Sequence, residues 1–128
     1  MSMRRLLENK VFKDCLWKCE IISVMNTKVV VMRVREGKLA TWKAWCAELV
    51  GQLREEAIAT LAEEKVLEEM CFLFTLNSES YVIGFADSEG ETLPANMERG
   101  INQKHKAMKQ ECLEYVSDGE TLYYFFSK

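Results

Sequence analysis

Histidine is the side chain best suited to move a proton near neutral pH, and the sequence of 128 residues contains a single one, His105. Asn102 precedes it by about one helical turn, where an amide can help to orient the imidazole. Burial favours the neutral imidazole, which accepts a proton or ligates a metal. His105 is therefore the candidate catalytic residue, as a general base or as a group that orients a ligand. The alternative is a core histidine satisfied by a carbonyl or a tyrosine hydroxyl.

The cysteines are five in number and form no C-x-x-C motif, so the pattern predicts no disulfide framework. Cys15 and Cys19 are one helical turn apart, but a structural zinc site needs a second pair of ligands. Cys112 follows His105 by seven residues. On one helix this separates their backbones by about 10 Å, too far for a Cys/His dyad. Free thiols of this kind mostly pack as small hydrophobic side chains.

Two pairs of adjacent glutamates, Glu63–Glu64 and Glu68–Glu69, suggest acid/base chemistry by paired carboxylates. The first pair ends a predicted helix. The second lies in a predicted strand, where adjacent side chains point to opposite faces. A solvated run of charge is therefore the favoured interpretation of both pairs.

Aromatic side chains around His105 are the candidate walls of a ligand pocket. Trp42 lies on the apolar stripe of a predicted helix and Trp45 at its edge, although such stripes usually form core. The candidate ligand-binding residues are Trp42, Trp45, Tyr81, Asn102 and His105. A cavity of several hundred Å³ among them favours ligand binding, whereas close packing favours a filled core.

Several functional classes have no support in the sequence. It contains none of the nucleotide-binding, zinc-protease or calcium-loop motifs, so we expect neither a cofactor nor a metal. The 17 basic and 20 acidic residues give a formal charge of −3, which argues against nucleic acid as a partner. No apolar run approaches the about 20 residues that cross a membrane. Charged residues interrupt the apolar stretch that a signal peptide would need near the start of the chain. We therefore expect no export signal and a cytoplasmic protein.

The hydrophobic pattern predicts the elements that position these residues. In chain order they are an N-terminal amphipathic helix over 4–19, a strand over 28–35, a long helix over 38–65, strands over 66–76 and 81–86 joined by a polar loop over 77–80, a surface loop over 87–96, a helix over 97–115 and an aromatic closing strand over 121–127. Gly51 lies away from the stripe of the long helix and marks either a bend or a break. A strand over 19–24 is the alternative to part of the N-terminal helix.

This order predicts a ferredoxin-like α+β domain over 27–128, preceded by a helical extension over 1–26. In the β-α-β-β-α-β arrangement, two helices cover one face of a four-stranded antiparallel sheet. The strands are nevertheless apolar on both faces, since Ile83 and Phe85 point one way and Val82 the other. We therefore expect a homodimer through the sheet faces. The alternative is a monomer whose N-terminal helix covers that face through Leu7 and Val11.

Three segments of the sequence carry a family resemblance. They are REEAIATLAEEKVLEEMCFLF over 54–74, VVVMRVREGKLATWKAW over 29–45 and INQKHKAMKQECLE over 101–114. Together they resemble a family of small bacterial proteins of uncharacterised function, which looks like a branch of the dimeric α+β barrels. The resemblance covers residues 27–126. It implies a ligand site between the sheet and the helices of one subunit.

Dimeric α+β barrels include quinone-forming monooxygenases, haem-degrading enzymes and sugar mutarotases, but their catalytic residues do not carry over by motif onto this sequence. The leading hypothesis is a small-molecule binding protein, or a cofactor-independent enzyme, with a pocket between helices and sheet. The first alternative is a non-catalytic dimerisation or regulatory module with a filled core. The second is a haem-binding protein that ligates the iron through His105.

Overall fold

The computed structural model describes residues 25–125 and residue 127. The predicted N-terminal helix over 4–19 and the alternative strand over 19–24 lie outside the described residues. The described part of the chain contains four strands and three helices. In chain order these are β1 Asn26–Val34, α1 Leu39–Val50, α2 Arg54–Glu63, β2 Glu68–Leu76, β3 Glu79–Ser88, α3 Gly100–Cys112 and β4 Leu113–Asp118.

The four strands form one antiparallel sheet in the order β2-β3-β1-β4. β1 is rich in β-branched residues, which suit a central strand. Met32 of β1 pairs with Val82 of β3, and Val82 pairs in turn with Leu73 of β2. The described part of the chain is therefore an α+β domain built on a four-stranded antiparallel sheet and three helices.

The predicted long helix over 38–65 is two helices, and the break falls at Gly51. The Gly51 N–H donates to the carbonyl of Glu48 at 3.2 Å, and a Cβ at Gly51 would lie 2.9 Å from the carbonyl oxygen of Ala47. Glycine disfavours a continuous helix by about 1 kcal/mol relative to alanine. The spacing of apolar residues continues across the break, because α1 and α2 both turn their apolar sides to the same core.

The hairpin between β2 and β3 is tighter than predicted. Its turn consists of Asn77 and Ser78, with φ values of 52° and 66°, whereas the sequence suggested a loop over 77–80. Two consecutive positive φ values are typical of the two-residue hairpin turns that match the twist of a sheet. Glu79 and Ser80 therefore belong to β3, where they pair with Leu76 and Thr75.

The predicted closing strand over 121–127 is wrong, because the fourth strand is β4, which follows α3 directly. The α3 helix ends where the carbonyl of Cys112 accepts a hydrogen bond from the Arg35 N–H at 2.7 Å. Leu113 then takes extended angles, φ −124° and ψ 148°. Tyr115 happens to continue the helical spacing, so the apolar stripe conceals this change. Residues 121–125 lie outside every strand despite their aromatic composition.

The core lies between the helices and the face of the sheet to which Val34 and Val82 point. Trp45 and Val82 are each only 1% exposed, so they form the centre of this layer. The buried hydrophobic residues are Val34, Trp42, Trp45, Val82, Ile101, Cys112 and Leu113.

The other face of the sheet, which we call the open face, is also apolar. By the alternation of the strands it carries Val29, Val31, Met70, Phe72, Phe74, Tyr81, Ile83 and Phe85. Phe72 is 52% exposed and Met70 is 44% exposed. The sheet is therefore apolar on both sides, as the sequence predicted.

The turn between β1 and α1 provides a test of the fold. Gly37 has φ +76°, a conformation that costs other residues about 1–2 kcal/mol. We expect Gly37→Ala to lower the free energy of unfolding in urea by about 1 kcal/mol. Gly90→Ala is the matched control, because a Cβ at Gly90 also meets no atom within 4 Å and φ there is not positive. Equal effects of both substitutions would contradict the described turn.

Candidate functional site

A cavity of about 690 Å³ lies between β2 and the three helices. Its walls are largely apolar, and its polar side chains come from α2, β2 and α3. The residues that line it include Cys46, Leu49, Ala57, Thr60, Leu61, Glu64, Glu69, Cys71, Ile101, Asn102, His105, Lys106 and Lys109. The volume falls in the range of small-molecule sites.

A glycine in the neighbouring strand leaves space on the helix-facing side of the sheet. Gly84 of β3 pairs with Cys71 of β2, so both positions face the helices. A Cβ at Gly84 would meet no atom within 4 Å. The sheet therefore leaves room beside Cys71.

A hydrogen bond between Trp45 and His105 holds the imidazole at the wall of this cavity. The Trp45 Nε1–H donates to His105 Nδ1 at 2.9 Å. An indole N–H can only donate, so Nδ1 is the unprotonated nitrogen. The neutral imidazole then carries its proton on Nε2, for which the described residues provide no hydrogen-bond partner. His105 can therefore donate a hydrogen bond to a ligand.

The charge state of His105 follows from its surroundings. Burial, and to a lesser extent the positive charge of Lys109, lower the pKa of His105 to about 4. The imidazole is therefore neutral at pH 7.

A second group of polar atoms surrounds Cys71, on the sheet side of the cavity. Cys46 of α1 and Cys71 of β2 both line the cavity. Interaction with the Cys46 thiol lowers the pKa of Cys71 to about 7, although burial acts in the opposite direction. The same interaction raises the pKa of Cys46.

Two carboxylates and a lysine add charge to the cavity. Burial raises the pKa of Glu69, and Lys109 opposes that shift. The pKa of Glu64 is raised by burial and then by the charge of Glu69. The fold therefore splits each predicted pair, because Glu63 forms an ion pair with Arg99 at 2.8 Å, and Glu68 faces away from the helices. Glu63 and Glu69 are exposed to solvent, whereas Glu64 and Glu68 are partly buried.

Four of the five predicted ligand-binding residues lie together. Asn102 and His105 line the cavity, and Trp42 and Trp45 pack beside the imidazole, with ring centroids 6.1 and 6.0 Å from it. Asn102 does not orient His105 as expected, because its Nδ2 donates to the Asn96 carbonyl at 3.0 Å. Trp45 performs that role.

Tyr81 does not line the cavity, although the sequence suggested it. It lies on the open face, where its ring stacks on Phe74 at 5.4 Å. Its hydroxyl donates to Glu79 Oε2 at 2.9 Å. The physical reason is the pleat, because Val82 points to the helices and its neighbour must point away.

Cys46, Cys71 and Lys109 were not among the candidate site residues, and the glutamate pairs were interpreted as solvated charge. Strand alternation indicated that one of Glu68 and Glu69 faces the helices, but not which. Cys46 on a helix and Cys71 on an edge strand line the same cavity, and spacing along the chain carries no signal of that.

Neither a metal cluster nor a membrane-spanning helix is found in the described part of the chain. Residues 25–125 contain no group of three or more His, Cys, Asp or Glu side chains placed to hold a metal ion. Over the same residues, no helix has the length and apolar character needed to cross a bilayer.

The buried imidazole makes stability depend on pH. The pKa of His105 is about 4 in the folded protein and about 6.5 in an unfolded chain. Only the unfolded chain takes up this proton between those values, so stability falls as the pH drops from about 6.5 to about 4, by at most roughly 3 kcal/mol.

We expect His105→Gln to remove this part of the pH dependence, because glutamine can still accept from Trp45 but does not titrate in this range. The measurement is urea unfolding of both proteins at several pH values. Identical slopes for the two proteins between pH 4 and 6.5 would contradict the assigned shift.

Comparison with known proteins identifies the family of the chain. No curated protein and no solved structure matches it. A family model does match residues 25–125, which include all four strands and all three helices. The chain therefore belongs to DUF6176, a family of unknown function.

Proposed function

We propose that this protein binds a small organic molecule in the cavity between β2 and the three helices. The observation that carries the proposal is a cavity of about 690 Å³ with a neutral imidazole fixed at its wall. The space is a cleft open to solvent, so a ligand can reach the imidazole without rearrangement of the core. The cleft and its oriented donor therefore favour ligand binding over a dimerisation module with a filled core.

The lining defines the class of ligand. Leu49, Ala57, Leu61 and Ile101 provide an apolar surface, which suits a hydrocarbon or aromatic body. The His105 Nε2–H is a single oriented donor, which suits an acceptor such as a carbonyl, carboxylate or sulfonate oxygen.

The tautomer of His105 favours ligand binding over general-base catalysis and over haem ligation. A general base needs a free lone pair, but Nδ1 already accepts from Trp45 and Nε2 carries the proton. A histidine that ligates haem iron normally donates from its other ring nitrogen to an acceptor, whereas the partner of Nδ1 is itself a donor. Orienting a ligand is therefore the role that the hydrogen bond supports best.

A fluorescent probe tests the proposal. The probe is 8-anilinonaphthalene-1-sulfonate, which combines an aromatic body with a sulfonate acceptor. We expect it to shift the indole N–H signal of Trp45 in NMR spectra, assigned with Trp45→Phe. Gly84→Leu should weaken this binding by about tenfold or more, because the new side chain fills open space beside Cys71.

Gly90→Leu is the matched control, since its new side chain also enters open space but lies in a loop after β3. It should leave binding unchanged. The proposal fails if the probe leaves the Trp45 signal unmoved or binds equally well to both leucine variants.

We also propose that the domain is of ferredoxin-like type and assembles as in the dimeric α+β barrels. The order of elements and the strand order β2-β3-β1-β4 support the first part, with α1 and α2 together occupying the place of the first helix. The exposed apolar side chains of the open face support the second.

A second copy of the chain is the proposed cover of the open face. The family match begins at residue 25, so the family's domain includes this face but not residues 1–24. A Cβ built at Gly119 would lie 2.9 Å from the side chain of Val29. Because Val29 is on the open face, the C-terminal tail leaves the sheet beside that face. Leu122, Tyr123 and Phe125 of that tail are at least 75% exposed.

The sheet face supplies only part of the area that this assembly needs. Four strands about 4.8 Å apart and about 20 Å long present a plan area of roughly 400 Å². A stable interface removes about 800 Å² from each partner, so the apolar tail has to contribute to the interface as well.

The mass in solution tests the assembly. We expect twice the chain mass of 14.8 kDa by light scattering at micromolar concentration. Phe72→Lys should shift the protein toward the monomer because it brings a charge into an apolar interface. Ala40→Lys, at an exposed position of α1, is the matched control and should leave the dimer intact. A monomeric wild-type protein that dimerises after deletion of residues 1–24 would instead identify that segment as the cover.

A further inference from the structure

We propose that a basic side chain of residues 1–24 forms an ion pair with the buried carboxylate of Asp87 and so docks this N-terminal segment against one end of the open face. The contact is independent of the ligand of the cavity, which lies on the other side of the sheet. It also leaves the centre of the open face to the proposed second copy.

Asp87 is a buried carboxylate without a partner. It lies near the end of β3 and is only 1% exposed. No hydrogen-bond donor in the described part of the chain reaches either of its carboxylate oxygens. An unpaired charge in such a position is strongly unfavourable, and buried charges in proteins are therefore paired. Asp87 thus requires a cation from outside the described residues.

The strand register places a second carboxylate directly beside Asp87. Glu68 of β2 pairs with Asp87 on one side, and Thr27 of β1 pairs with it on the other. Since Val82 points to the helices and side chains alternate along β3, Asp87 points to the open face. Like charges that lie directly opposite each other destabilise a sheet, and a cation between them reverses that effect. This end of the open face therefore suits a positively charged group.

The surroundings of Asp87 disfavour its ionised form unless a cation is present. Burial, and to a lesser extent the charge of Glu68, raise the pKa of Asp87. The backbone of Glu68 acts in the opposite direction, although it forms no hydrogen bond to either oxygen. A positive charge in contact with the carboxylate stabilises the ionised form.

The described helices, loops and tail do not cover Asp87. The three helices lie on the other side of the sheet. The loop after β3 is held on that side too, because the Leu93 N–H donates to the carbonyl of Glu64, just after α2, at 3.0 Å. In the C-terminal tail, Leu122 and Phe125 are each 85% exposed, so they do not pack on the carboxylate. The chain that precedes β1 is the remaining candidate.

The start of β1 brings this segment close to Asp87. The strand begins at Asn26, and its next residue, Thr27, pairs with Asp87. Residues 1–24 therefore join the sheet within a few residues of the carboxylate. A group tethered at such a distance has an effective concentration of the order of millimolar, so even a weak contact holds it.

The charge of the segment is complementary to this end of the sheet. Residues 1–24 contain five basic and three acidic residues, whereas the whole chain has a formal charge of −3. The segment is therefore positive in an acidic protein. Its basic residues are Arg4, Arg5, Lys10, Lys13 and Lys18.

A second copy of the sheet does not supply the cation. The four described strands place one basic residue on the open face, Arg33. Arg33 already lies 3.3 Å from Glu114 and 3.8 Å from Glu79. The centre of the face is also open, since Phe72 is 52% exposed. The second copy thus fits the exposed centre, and the N-terminal segment fits the buried end.

The effect of Asp87→Asn on stability tests the ion pair in the full chain. We expect the folding equilibrium constant from urea unfolding at pH 7 to fall at least tenfold, because the substitution leaves the base without its partner. Asp118→Asn, at an exposed position at the end of β4, is the matched control and should change the constant by less than about twofold. Without a cation, Asp87→Asn would remove a buried charge. Unchanged or increased stability would therefore overturn the proposal.

Trypsin identifies the base, because it cleaves after a lysine or arginine only when that side chain is free to enter its own pocket. The full chain is digested briefly, and cleavage at each basic residue of the segment is followed by mass spectrometry. We expect one site to be cut at least tenfold more slowly than the others in the wild-type protein and in Asp118→Asn, but not in Asp87→Asn. Circular dichroism confirms that both variants are folded. The proposal is overturned if Asp87→Asn leaves all five cleavage rates unchanged.

Discussion

The hydrogen bond from Trp45 Nε1 to His105 Nδ1, 2.9 Å long, is the interaction on which the cavity depends. A fully buried indole needs an acceptor, and the imidazole supplies it across the gap between α1 and α3. This contact fixes the tautomer of His105 and turns its remaining N–H into a donor. Trp42, one turn earlier on α1, packs beside the same imidazole. The α1 helix therefore holds the imidazole between two indole rings.

The sheet has two apolar faces with different uses. The face toward the helices forms the core around Trp45 and Val82 and leaves a cavity beside β2. The open face carries Phe72 and Phe74, which are exposed in the single chain. Ligand binding and assembly are therefore proposed on opposite sides of one sheet.

The sequence predicted which helices and strands form more accurately than it predicted the residues at which they begin and end. Alternation and β-branched residues located β1, β2 and β3, and the spacing of Ile101, His105 and Met108 located α3. The periodicity of apolar residues did not predict the helix ends at Gly51 and Cys112. Apolar residues continue at helical spacing beyond both positions by chance, although the backbone is no longer helical there. Local propensity favoured a strand at the aromatic tail, but a strand needs a partner, and the edge of β1 is occupied by Leu113–Asp118. The site followed the same division, because helical spacing placed Asn102 and His105 along one cavity wall, whereas the hydrogen bond of Trp45 to His105 joins two helices and leaves no signal in the sequence.

The most direct test is the ¹⁵N NMR spectrum of the imidazole, which is unambiguous because His105 is the only histidine. At pH 7 we predict that Nδ1 has the chemical shift of an unprotonated, hydrogen-bonded acceptor and that Nε2 has the shift of a protonated nitrogen. A coupling across the hydrogen bond to the Trp45 indole would identify the donor. Protonation at Nδ1, or a cationic ring at pH 7, would contradict the account, because His105 would then present neither the tautomer nor the donor that the proposed ligand site requires.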